Sequence, residues 1–186
     1  MGLMPSHHPL PLPLLLWADN RLVTRTLVVC CSTPATPYQC LDVRVTGNNV
    51  EVVQGSDIVV LAVKPHFIDT VLEEVRDALG ANHLVVSIAA GVTIASIEAA
   101  VPEGTRVVRI MPNTPCLVGA TASAYSLGTH ATGADGAQVE RLMAAVGVTL
   151  PLPERLLNAV TGLSGSGPIR AGGRAGKGVT PPFRRE

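Results

Sequence analysis

Neither sign of charge is in excess in this chain of 186 residues: 14 lysines and arginines stand against 14 aspartates and glutamates. That balance leaves no field to draw in nucleic acid or coat an anionic membrane, and it favours a small neutral partner or a cofactor. Cysteine is sparse. The four, at 30, 31, 40 and 116, form no CxxC pair and have no histidine at ligand spacing, so neither zinc nor a disulfide framework is expected and the thiols read as reduced. No apolar run reaches the roughly eighteen residues that would cross a bilayer. The opening MGLMPSHHPLPLPLLLW has an apolar stretch, but no basic segment precedes it, Pro11 and Pro13 interrupt it and no small-residue cleavage site follows, which argues against secretion. No internal repeat is visible.

What the chain does have is apolar residues, 47% against 15% charged, enough for a sizeable core in one domain or one domain and a fragment. From residue 25 onward, strand-length apolar runs alternate with amphipathic stretches. TLVVCC (26–31), DIVVLAVK (57–64), LVVSIAA (84–90), TRVVRIM (105–111), ASAYSL (122–127) and VTLPLP (148–153) read as strands. Between them HFIDTVLEEVRDALG (66–80) places Phe67, Val71, Leu72, Val75 and Leu79 at helical spacing and ends on Gly80. TIASIEAAV (93–101) reads as a helix capped by Thr93, DGAQVERLMAAVG (135–147) as a helix closed by Gly147, and PERLLNAV (153–160) as a short helix. Repeated β-α-β units predict an α/β fold, a Rossmann-like, doubly wound parallel sheet. The expected domain spans 25–168, between an unstructured leader, 1–24, and a Gly-rich basic tail, 169–186, also without order.

In such a sheet, ligands bind beyond the carboxyl ends of the strands, where the unusual loops fall. STP follows 26–31, VKP follows the strand at 57–64, AAGV follows 84–88 and MPNTP follows 105–110. Proline fixes φ and biases its predecessor to extended geometry, so Val63-Lys64-Pro65 and Met111 to Pro115 stop their strands sharply and stiffen the loops. Ala89, Ala90 and Gly91 are small enough for a flat ring or a ribose to approach the backbone. Taken singly, each has a plain structural reading. Lys64 is then a solvated strand-end charge, Pro-Asn-Thr-Pro a turn, Gly162 to Gly167 a linker, and Glu154 a first-turn acid. Their joint position on one sheet edge favours the floor of a cofactor crevice.

The series LAVKPH (61–66), SIAAGVTI (87–94), RIMPNTP (109–115) and AVTGLSGSGP (159–168), in this order, resembles the pyrroline-5-carboxylate reductase family. The resemblance covers about residues 26–168. It implies NADPH- or NADH-dependent reduction of the ring C=N of Δ1-pyrroline-5-carboxylate to L-proline. It also implies a Rossmann domain followed by a helical dimerisation domain in a homo-oligomer, cytoplasmic or mitochondrial. By the same resemblance Ala62, Val63, Lys64 and Pro65 line the cofactor, and Ile88, Ala89 and Ala90 sit near its nicotinamide end, with Asn113 in the same crevice. Asn49 falls near the adenosine or ribose side, and Ser32 and Thr33 meet the adenosine ribose. No acid stands at that strand end to claim a free 2′-OH, which leans to NADPH. Glu154 matches a position near the substrate, and no residue is assigned as general acid.

Two departures qualify the expectation. The family opens on a strand and a GxGxxG/A-type loop that holds the pyrophosphate, whereas LPLPLLLWADNR stands here. After Pro168 the family continues into long helices, whereas IRAGGRAGKGVTPPFRRE stands here. A chain truncated at both ends in this way, lacking first strand and dimerisation domain, is expected to have little or no activity alone. Two other readings stand beside it. One is a non-catalytic remnant that binds nucleotide or a full-length reductase. The other is an NADP-linked reductase acting on a keto acid or a coenzyme.

Overall fold

The computed structural model describes residues 46–165. The expected strand at 26–31, Ser32 and Thr33, the leader and the tail lie outside the described residues.

The described part is one five-stranded sheet with strand order following the chain: β1 (Ile58–Leu61), β2 (Leu84–Ser87), β3 (Arg106–Met111), β4 (Thr121–Leu127) and β5 (Gly147–Pro151). The first three strands are parallel, as their β-branched composition and two-sided burial lead one to expect. β4 runs antiparallel to β3, and β5 is parallel to β4. The Rossmann-like α/β layering is therefore present with one reversed strand, which the connection through residues 112–120 makes without a crossover helix.

Side-chain alternation divides the core by face. Val59, Leu61, Val85 and Val107 point toward α1 (Asn49–Gln54), α2 (Ile68–Val75) and α3 (Ile94–Ala100), where Val53, Ile68, Leu72, Val75 and Ile97 complete one cluster. Leu84, Val86, Val108 and Ile110 point to the other face, against Val139 and Met143 of α4 (Gly133–Met143) and the ring of Tyr125. α5 (Glu154–Val160) follows β5 and continues as a π-helical turn, Thr161–Gly165.

The expected helix over 66–80 is three pieces: a 3₁₀ turn at Pro65–Phe67, α2, and a second 3₁₀ turn at Arg76–Ala78. Its buried stripe is Ile68, Leu72 and Val75, while Phe67, expected inside, is half exposed in the turn before it. Gly80 does not end the helix, because the chain is already extended at Leu79. α1 was not anticipated. Asn48 caps it, its side-chain oxygen accepting from Val50 and Glu51 N–H, within a stretch whose valines read as strand formers.

α4 starts two residues ahead of the expected Asp135, because Asp135 belongs to the cap: its carboxylate accepts from the Thr132 N–H and hydroxyl, each at 2.8 Å. Arg106 reaches the same carboxylate at 2.5 Å and donates to the Ala81 and Asn82 carbonyls, tying β3 to the loop before β2. Burial pushes the Asp135 carboxyl upward, but these donors together outweigh it and hold the group below the usual carboxylate range.

Candidate functional site

β1, β2 and β3 end side by side, so the three loops that follow them share the carboxyl edge of the sheet. After β1, Ala62 is exposed and Val63 packs on the α1–α3 cluster. Lys64 is extended (φ −64°, ψ 145°) with its side chain in solvent, and its carbonyl accepts the Phe67 N–H as Pro65 opens the 3₁₀ turn. Proline is favourable there because a first-turn N–H would have no partner. The stiff backbone presents one exposed ammonium at the strand end.

After β2, the Ile88 N–H donates to the Leu61 carbonyl at 3.2 Å, carrying the β1–β2 pairing one residue past the strands. Ile88 leans on the α4-side cluster, whereas Ala89 is buried and its N–H donates to Ser87 Oγ at 3.3 Å. Ala90 is exposed. Gly91 has φ +80°, which L side chains rarely adopt, and the space where a Cβ would stand is empty to 4 Å. Small residues and open backbone here leave room for a planar group. Thr93 then caps α3 through the Ser96 N–H, and the neighbouring Ile94 N–H donates to Glu154 Oε1 at 2.7 Å.

After β3, Asn113 is enclosed by its own bonds. Its Oδ1 accepts from Thr121 Oγ1 at 2.8 Å and the Ala122 N–H at 3.1 Å, and its Nδ2 donates to Ser164 Oγ at 2.8 Å. The side chain thus joins the MPNTP loop, the start of β4 and the π-helical turn within TGLSG. Two segments far apart in the chain meet at one amide.

Glu154 accepts not only from Ile94 but from Arg109 Nη1 at 3.0 Å, and Arg109 Nη2 donates to Asn158 Oδ1 at 3.2 Å. The first-turn acid of α5 is therefore the joint between α5, α3 and β3. Asn49 stands apart from these loops, its Nδ2 donating to Glu74 on α2 at 2.8 Å. Arg109, Thr121, Asn158 and Ser164 were not anticipated. The one usable signal was an arginine in the apolar run VVRIM, since such a charge is rarely buried without a partner.

Among the described residues no three His, Cys, Asp or Glu side chains converge to hold a metal ion, and no helix is long and apolar enough to cross a membrane. The edge has an exposed cation, small residues and a bare glycine turn, a set that suits a flat, anionic, ring-bearing ligand.

Comparison with known proteins gives this arrangement relatives. A family model described as NADP oxidoreductase, coenzyme F420-dependent, matches residues 31–91. Pyrroline-5-carboxylate reductase 2 of Bos taurus is 48% identical over 134 residues, covering 70% of this chain and 42% of that protein. A solved pyrroline-5-carboxylate reductase from Coxiella burnetii superposes with a TM-score of 0.67 at 34% identity, over 76% of this chain and 57% of the other. The Plasmodium falciparum pyrroline carboxylate reductase, solved with NADP bound, gives a TM-score of 0.72 at 25% identity, over 87% of this chain and 63% of that one. The chain spans less than half the length of the Bos taurus relative.

Proposed function

Because this chain is a relative of the pyrroline-5-carboxylate reductases, we propose that it carries the dinucleotide-binding part of such an enzyme. The cofactor is NADPH or NADH, with the lean toward NADPH, and the small-molecule substrate is Δ1-pyrroline-5-carboxylate, reduced to L-proline. When bound, the dinucleotide supplies the hydride. Ala62, Val63, Lys64 and Pro65 border it, and Ile88, Ala89 and Ala90 lie near its nicotinamide end. The exposed backbone at Ala90 and Gly91 admits the ring without displacing a side chain. The observation that carries the reading is the convergence of the VKP, AAGV and MPNTP loops on one sheet edge in a chain 48% identical over 134 residues to a named reductase.

Two features favour low turnover for this chain alone. Asn113, in the expected cofactor crevice, already spends its side-chain amide on internal partners, and Oε1 of Glu154, the residue expected near the substrate, already accepts from Ile94 and Arg109. Nucleotide binding without catalysis, or association with a full-length reductase, is accordingly the second reading.

Thermal unfolding of the purified chain with excess NADPH tests the proposal, because a ligand that binds only the native state must raise its stability. The expected result is a rise of several degrees, with proline formation from Δ1-pyrroline-5-carboxylate slow or absent. An unchanged midpoint at saturating NADPH and NADH would overturn the binding assignment.

A further inference from the structure

Arg109 is 1% exposed and heads the fully buried side chains by volume. It stands in a row across the sheet in which Leu61 pairs with Ser87, Ser87 with Arg109, and Arg109 with Ser126. The two small serines flanking it leave width for a guanidinium. A buried cation that loses its partner is strongly destabilising, so its bonds define what it does. Two lead to α5, through Glu154 and Asn158, while Nε is closed off from water without a partner. Glu154 uses the same oxygen, Oε1, to hold the first N–H of α3. The turn between β2 and α3 is thus fastened at both ends, by Ser87 Oγ on the Ala89 N–H and by Glu154 on the Ile94 N–H.

We propose that Arg109 is a positioning residue for the turn at 88–91 and for the segment that follows α5. Through Glu154 it sets where α3 begins. Through Glu154 and Asn158 it sets α5, whose continuation brings Ser164 to Asn113. The importance of this for the reaction rests on the dinucleotide reading above, since a displacement of roughly 1 Å between reacting groups costs on the order of a hundredfold in rate. Lysine would keep the charge but lose the planar fork that reaches two partners in different directions.

The test uses the full chain with Arg109→Lys and Glu154→Gln. Arg106→Lys is the control, because Arg106 also pairs with a buried carboxylate but at the other end of β3. Amide hydrogen exchange is read at 89–94 and 159–165, and the NADPH dissociation constant by fluorescence titration. Both test variants are expected to exchange at least tenfold faster at those two segments, with β1 and β2 unchanged, and to bind NADPH at least tenfold more weakly. Arg106→Lys leaves both readouts at the wild-type level. Glu154→Gln keeps an acceptor oxygen and serves if Arg109→Lys does not fold. Wild-type exchange at 89–94 in a folded variant, or equal acceleration across the whole sheet, overturns the proposal. A wild-type chain that binds no NADPH overturns the dinucleotide reading instead, and the exchange measurement still decides the role of Arg109.

Discussion

At the scale of single residues, the polar side chains with several bonds each join separate segments. The Asn113 side chain donates or accepts in three bonds, so Asn113→Ala takes from Ser164 Oγ its donor, leaves the exposed Ala122 N–H to solvent, and leaves Thr121 Oγ1 with Ser123 Oγ and the backbone N–H of residue 113. Loss of about 2–3 kcal/mol of stability is expected, measured as a lower urea midpoint at constant slope. Asp135 gives a pH signature. Its folded-state pKa lies below the unfolded value, so its contribution is complete above the ordinary carboxylate range, near 4, and disappears as pH falls through the depressed value. Asp135→Asn should therefore be less stable than the parent at pH 7, with the gap closing toward pH 2 in urea titrations. A gap of constant size would show that the carboxylate charge does not matter. The meaning of Arg109 was hidden in the sequence because its partners lie 45 and 49 positions away, a separation that no local pattern encodes. The proline-rich and small-residue loops were legible because their effect on the backbone is local.

At the scale of elements, the buried parallel strands were readable from valine and isoleucine runs, and the caps of α3 from Thr93. The reversal of β4 was not. Alternation and propensity say that a segment is a strand and are silent on its direction, which the short connection decides. α1 was missed because tertiary packing of Val53 in the cluster with α2 and the sheet overrides the β preference of its valines. The junction of α4 and β5 depends on Gly147, whose φ of +152° and whose absent Cβ allow the chain to pass against Thr121. A methyl there would stand 2.1 Å from the Thr121 carbonyl oxygen. Gly147→Ala is expected to cost at least about 3 kcal/mol, and to lower the circular-dichroism melting midpoint more than any exposed alanine substitution in α4. A midpoint within a degree of the parent would refute the close approach.

For the molecule as a whole, the two clusters share β1, β2 and β3 and so are not independent. Val107→Ala and Val108→Ala remove adjacent side chains from opposite faces. Each is expected to cost about 2 kcal/mol while unfolding stays a single cooperative transition by circular dichroism and calorimetry. Two separated transitions in either variant would show that the faces melt apart. The reversed strand also bears on the order of assembly. β1–β2 and β2–β3 pairing must close a helix-bearing segment, whereas β3 and β4 meet across residues 112–120 with Asn113 and Thr121 already bonded at the bend. Loop-closure entropy is lowest for that pair, so it is the natural nucleus, and Asn113→Ala should slow refolding more than it speeds unfolding. The corner that we assign to the dinucleotide edge would then be among the first parts of the chain to take shape.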